Sequence, residues 1–269
     1  MKNKKHKEKD KLVLDLETQH TFSEVGGRNF RALKVSLVGV YSYLQERLLF
    51  FTEDRLHELF SLMEAADLII GFNLKRFDYV VLEPYRGKVL DNFPTLDILE
   101  EIEIILGHRL KLDELAKYSL GRGKSGDGLD AVRYFRNGEF DKLKSYCGDD
   151  VLITRDLYEY GKNNGFVLYR QGLIPIRWGR DKQIIGTLNE AFTKKLTVDI
   201  DYFAPWSSDS TQRRRRQVDI YALDSEGFIA FCHLRKSIRN FKIKRVIDAV
   251  LMENHYIIPQ NLELKDLGM

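Results

Sequence analysis

The hydrophobic period changes along this chain, and that change limits the folds open to it. Lys11 to Glu17 carries the apolar run Leu12, Val13 and Leu14 and reads as a strand. Gly26-Gly27 marks a turn, and Lys34 to Tyr43 and Arg47 to Phe51 are β-rich, which predicts a three-stranded antiparallel meander. Thr52 is a candidate N-cap, with Arg55 where a capping box prefers Glu, and Leu56, Leu59, Phe60 and Met63 follow at helical spacing. Asp67 to Phe72 reads as a short buried strand. Leu74 to Leu82 opens a helix that Pro84 ends, and Val89 to Asn92 is a further short strand. From Thr95 the pattern turns helical: Leu96, Leu99, Ile102 and Leu106 form one stripe, Leu112, Leu115 and Ala116 another. Glu139 to Tyr160 reads as one long helix closed by Gly161. Strands, then strand–helix alternation, then a helical finish predict an α/β domain with helices over its sheet. After Asn163-Asn164-Gly165 the pattern changes again. A helix over Asp181 to Lys195 precedes short strands at Leu196 to Tyr202, Gln217 to Leu223, Phe228 to Leu234 and Ser237 to Lys242, the spacing of a small barrel. The expected organisation is a disordered basic tail over 1–10, an α/β domain over 11–165 and a β-barrel domain over 166–269.

Charge divides the chain in the same place. Residues 12–166 carry 20 Lys and Arg against 26 Asp and Glu, whereas residues 167–269 carry 17 against 12, and 213–245 alone carries 10 against 3. Acidic clusters suit cations and basic ones suit phosphate, so two jobs are expected. Two cysteines, Cys147 and Cys232, are too few for a disulfide framework or a cysteine-rich zinc site. The lysine-rich start lacks the apolar stretch of a secretory signal, and no apolar run approaches the ~18 residues of a membrane span. The expectation is a soluble, cytoplasmic protein.

Three groups of carboxylates carry chemistry. Asp15 and Glu17 end the first strand, two residues apart and hence on one face, with Leu16 on the other. Gly71-Phe72-Asn73-Leu74-Lys75-Arg76-Phe77-Asp78 follows a strand and places Asp78 in the first turns of a helix. Tyr146 and Asp150 stand four apart in the long helix and share a face; Asp149 turns about 100° away.

In order, spacing and context these groups resemble the three motifs of the DEDD superfamily of 3′–5′ exonucleases, over roughly residues 11–162. Tyr146 matches the DEDDy branch, and GFNLKRFD is similar to exonucleases related to the proofreading domains of family B polymerases. The resemblance implies a ribonuclease H-like fold, a mixed five-stranded sheet flanked by helices. It also implies metal ligands Asp15, Glu17, Asp78 and Asp150, two divalent ions (Mg²⁺ or Mn²⁺), and Tyr146 orienting the attacking water. Asn73 and Phe77 would shape the site and touch the terminal nucleotide, with core packing the competing reading for Phe77. Gly121 to Gly126 has the G-x-G-x-x-G spacing but follows a helical pattern, so an ordinary loop is expected there.

The stretch YALDSEGFIAFCHLRKSIRNFKIKRVIDA, with Asp201-Tyr202 before it, makes residues 180–255 similar to a WYL domain, a small Sm-like barrel. The namesake triplet is replaced by Phe228-Ile229-Ala230. The resemblance implies binding of single-stranded nucleic acid or a regulatory nucleotide, with Tyr202, His233, Arg235, Arg239, Lys242 and Arg245 as candidates. Arg213 to Arg216 reads as an exposed loop attracting phosphate. The leading expectation is a metal-dependent 3′–5′ exonuclease with a nucleic-acid 3′ end as partner. The alternative is a ligand-sensing, nucleic-acid-binding regulator that uses the exonuclease fold as a scaffold. In a third variant the barrel regulates cleavage by binding a small nucleotide.

Overall fold

The structure, a computed structural model, describes residues 9–27, 29–123, 128–203 and 213–259. The chain divides into two compact units, Met1–Tyr160 with Val167–Ile174, and Gly161–Phe166 with Pro175–Met269.

The apolar run at the start becomes β1 (Asp10–Thr18), the middle strand of a five-stranded sheet. It pairs antiparallel with β2 (Val35–Ser42), which pairs antiparallel with β3 (Arg47–Phe51). On its other side β1 runs parallel to β4 (Ala66–Gly71), and β4 parallel to β5 (Thr95–Asp97). The sheet is therefore mixed. Alternation along β1 sorts its side chains: Leu12, Leu14 and Leu16 join the core under α1 (Leu56–Ala65) and α2 (Tyr79–Arg86), while Asp15 and Glu17 take the opposite face. Leu37, two residues before Gly39 on β2, packs on that second face against α5 (Gly128–Arg136) and α6 (Phe140–Asn164). Helices α3 (Ile98–Leu106) and α4 (Leu112–Leu120) complete the unit.

Several local expectations change. Asp10, expected in a disordered tail, lies in β1 and is buried; residues 1–8 fall outside the described residues. Val89 to Asn92 forms no strand; the edge strand is Thr95–Asp97, and its helix starts at Ile98, where Asp97 caps the Leu99 and Glu100 N–H groups. Pro84 sits inside α2 rather than ending it. Only one backbone bond is lost to the proline, because the helix stops two residues later at left-handed Gly87. Gly161 is likewise internal to α6, and Gly165 (φ 72°) follows its last turn. The candidate loop at 121–126 falls partly outside the described residues.

In the second unit α7 (Asp181–Lys194) packs Ile184, Leu188 and Ala191 onto a five-stranded antiparallel sheet. Its strands are β8 (Leu196–Phe203), β9 (Arg213–Leu223), β10 (Gly227–Cys232), β11 (Ser237–Lys242) and β12 (Val246–His255), in the order β11-β10-β9-β8-β12. The expected barrel is corrected: among the described residues β11 and β12 are not paired, and the sheet does not close. The expected exposed loop at Arg213 to Arg216 is the start of β9. Arginine is tolerated there because Arg213 and Arg215 find aspartates across the strand. A short hairpin of β6 (Phe166–Tyr169) and β7 (Gly172–Pro175), absent from the sequence reading, lies between α6 and α7 in the chain.

Candidate functional site

The carboxylates of the first unit gather where the parallel strands end. Asp15 and Glu17 lie in the last half of β1, Asn73 and Asp78 just beyond β4, and Asp97 at the end of β5. Open sheets bind ligands outside the carboxyl ends of such strands. Pairing of β1 with β2 shifts register between Glu17 and Thr18, which breaks the ladder where the chain leaves the sheet. A cleft of about 1260 Å³ opens there, lined by Asp15, Glu17, Asp78, Tyr146 and Asp150 together with Asn73 and Phe77. All seven residues that the motifs pointed to in this unit thus share one cleft.

Their separate elements are held by identifiable contacts. Asp15 stands opposite Gly39 in register. A Cβ on Gly39 would meet Cys147 Sγ at 2.8 Å and Val151 Cγ2 at 3.0 Å, so only glycine lets α6 lie this close to the sheet. Cys147 Sγ donates to the Asp15 carbonyl at 3.8 Å, and the Asp15 and Glu17 carboxylates and this thiol all lie within 4.8 Å of one another. Asp78 enters from a π-helical turn, Leu74–Asp78, and its Oδ1 accepts the Leu16 N–H at 3.2 Å. Asn73 before that turn is left-handed (φ 71°), a conformation asparagine tolerates. It is fixed by Asp97, which the sequence reading did not single out. Asp97 accepts the N–H groups of Asn73 (2.8 Å) and Lys75 (3.1 Å) while also capping α3. The signal was there, since Asp97 followed three residues later by Glu100 marks a helix start.

The acids crowd one another electrostatically. Burial pushes the Asp78 carboxyl well above the usual carboxylate range, and Asp15 beside it pushes further in the same direction. Burial likewise raises the Cys147 thiol, helped by Glu17, Asp15 and Asp150, so these three acids act on a common group. Carboxylate oxygens are the hard donors that Mg²⁺ and Mn²⁺ take, and a cation would relieve the repulsion that disfavours ionised Asp78. The residues present fit such ions. Cys147, fully buried against Gly39, serves packing; exposed Asp149 points elsewhere.

Two features of the cleft carried no sequence signal. Phe22, half exposed in a polar loop, packs edge-on to Phe77 (5.9 Å) and beside Phe30 (5.7 Å), which puts Phe77 both in the core margin and in the cleft wall. Arg109, which donates to the Asn73 side-chain oxygen, and Lys111 also line the cleft.

The candidates of the second unit do not converge. Tyr202 is buried; its hydroxyl accepts the Lys242 N–H at 3.1 Å and its ring meets Phe241 edge-on. Arg239 lies opposite Ala230, on the sheet face that carries the core, whereas Lys242 points to the other face. His233 Nε2 lies 2.9 Å from Asp219, which also accepts the Thr197 hydroxyl. Arg235 is exposed in the turn after β10, and Arg245 is half-buried in a 3₁₀ turn.

Residues 183–251 match the family of the WYL domain. The second unit contains a WYL domain. No curated protein matches the chain in sequence. Among solved structures, the family B DNA polymerase of the archaeon Pyrobaculum calidifontis is similar at 18% identity and TM-score 0.46, covering 57% of this chain and 24% of its own. The E. coli ExoI–ssDNA complex in its zinc-bound form is similar at 12% and 0.38, covering 83% and 54%. Proteasome accessory factor B/C of Arthrobacter aurescens is similar at 20% and 0.23, covering 55% and 21%. The chain thus spans about half or less of each of these proteins, and the reading of the first unit rests on its own side chains. Among the described residues no helix is long and apolar enough to cross a membrane.

Proposed function

We propose that the first unit is a ribonuclease H-like, DEDDy-type 3′–5′ exonuclease acting on a single-stranded nucleic-acid end, and that the WYL domain binds nucleic acid or a regulatory nucleotide. The observation that carries this is the convergence of Asp15, Glu17, Asp78, Asp150 and Tyr146 on one cleft from three separate elements. Asp15, Glu17, Asp78 and Asp150 would hold two divalent cations, Mg²⁺ or Mn²⁺, which when bound supply an activated water and offset charge on the scissile phosphate. Tyr146, on the same face of α6 as Asp150, orients that water. Arg109 and Lys111 neutralise the incoming backbone, and Phe22 with Phe77 offers the terminal base an aromatic surface.

A time course on end-labelled single- and double-stranded DNA and RNA, with Mg²⁺, Mn²⁺ or chelator, tests the reading. Divalent-dependent release of mononucleotides from the 3′ end is expected, abolished in folded Asp15→Ala. Binding without cleavage would favour instead a nucleic-acid-binding regulator built on the same scaffold, a reading to which the WYL domain lends support. Phe22→Ala should raise KM about tenfold with a smaller change in kcat, as expected for one lost base stack of roughly 1–3 kcal/mol. An unchanged KM in steady-state assays would remove Phe22 from the substrate path.

A further inference from the structure

Strand alternation in β9 separates its arginines into two unlike settings. Arg213 and Arg215 point to the face where the acids stand: Arg213 pairs with Asp201 at 2.5 Å, and Arg215 with Asp199 at 3.2 Å and Asp248 at 2.9 Å. Arg216 points the other way, into the core-facing side beneath α7. It lies opposite Ile200 in register and two residues from Val218, both fully buried. Only 9% of its surface is exposed. Its Nη1 reaches nothing better than the Cys232 sulfur at 3.9 Å, and its buried Nε has no acceptor. Among the described residues no carboxylate pairs with it. A guanidinium in an apolar setting is strongly disfavoured unless an anion meets it, and here the nearby acids are committed to the opposite face.

We propose that Arg216 anchors a phosphate group of the WYL domain's ligand, its planar fork supplying paired N–H donors. Phosphate is the anion that this site is expected to take, because a nucleotide and a nucleic-acid strand, the two ligands of the proposed reading, both carry it. The phosphate belongs either to a free nucleotide or to a nucleic-acid strand. The inference rests on the ligand-binding reading of the WYL domain and deepens it: in place of an exposed, phosphate-attracting loop over Arg213 to Arg216, it assigns the role to one buried arginine of β9.

The test uses the full chain in chelator, so that the first unit does not cleave the probes. Inorganic phosphate, AMP and a short oligothymidylate are titrated into wild type and Arg216→Met, and melting temperatures are recorded without ligand. The expected result is at least tenfold weaker binding of AMP, the oligonucleotide or both in Arg216→Met, whose ligand-free form melts at or above wild type because an unmatched buried charge is gone. Loss of AMP binding in Arg216→Met assigns the site to a nucleotide, and loss of oligonucleotide binding alone assigns it to a strand. If Arg216→Met does not fold, Arg216→Gln replaces it with the same expected loss. Unchanged affinity in a folded variant overturns the role of Arg216 and leaves the WYL reading standing. No binding of any probe by wild type overturns both, and neither result bears on metal-dependent cleavage by the first unit.

Discussion

Asp78→Asn is expected to abolish 3′-end cleavage and, at the same time, to stabilise the metal-free protein. The carboxyl is 2% exposed, and burial and Asp15 both disfavour its ionised form. The amide keeps a carbonyl oxygen to accept the Leu16 N–H and removes the charge. Loss of one anionic metal ligand should lower the cleavage rate about 10³-fold, roughly 4 kcal/mol of transition-state stabilisation. The melting temperature of the metal-free first unit should rise by about 2–4 °C, the shift that roughly 1 kcal/mol produces in a domain of this size. The pH dependence follows from the same cause. Because the folded carboxyl titrates above its unfolded value, the folded state holds an extra proton between the two. Wild-type stability without metal therefore falls as pH rises through that window. Asp78→Asn should lack this slope, and Mg²⁺ should offset it in wild type alone. Calorimetry across pH with and without Mg²⁺ checks this; a variant less stable than wild type at neutral pH would mean that the acid is satisfied without a cation.

Gly39→Ala should disable the same site without touching a reacting group. The added methyl would sit 2.8 Å from Cys147 Sγ and 3.0 Å from Val151, so α6 must move away from β1. Overpacking of this kind costs about 1–3 kcal/mol, and displacing Tyr146 and Asp150 relative to Asp15 should lower cleavage by about 10²-fold, the sensitivity expected of a site misplaced by an ångström. Cys147→Ala opens the space from the other side. Alone it should leave cleavage nearly unchanged, since the thiol serves packing; combined with Gly39→Ala it should recover much of the lost activity. The double-mutant cycle on stability and rate measures the coupling. Strictly additive losses would show that Gly39 acts through something other than the approach of α6. A large loss in Cys147→Ala alone would give the thiol a chemical role.

How far the residues themselves pointed to this arrangement differs from element to element. Leu12, Val13 and Leu14 announced a strand as an apolar run, and the placement of Asp15 and Glu17 on one face followed from period two, whereas its middle place in the sheet came only with the parallel pairing to β4. Helix ends were less legible. Pro84 and Gly161 are breakers by propensity, yet both sit within helices here, because packing outweighs a single lost bond or a flexible residue. Arg213 to Arg216 looked like a solvated loop because four cations in a row rarely form a strand; the aspartates that make it one lie on β8 and β12. Phe22 could not be found at all, since a single aromatic in a polar loop acquires meaning only beside Phe30 and Phe77.

Sequence alone determined which atoms are available: four carboxylates and a phenol in motif order, an acidic first part, a basic second one, and the local periods that make strands and helices. Those depend on neighbours within a few residues. Whether the acids meet depended on contacts between residues more than a hundred positions apart, such as Cys147 with Asp15, and on the absence of a side chain at Gly39. Arg213 and Arg215 were likewise distinguished from Arg216 only once the sheet had assigned each to a face, because burial and counter-charge are properties of the assembled core and not of the chain's local pattern.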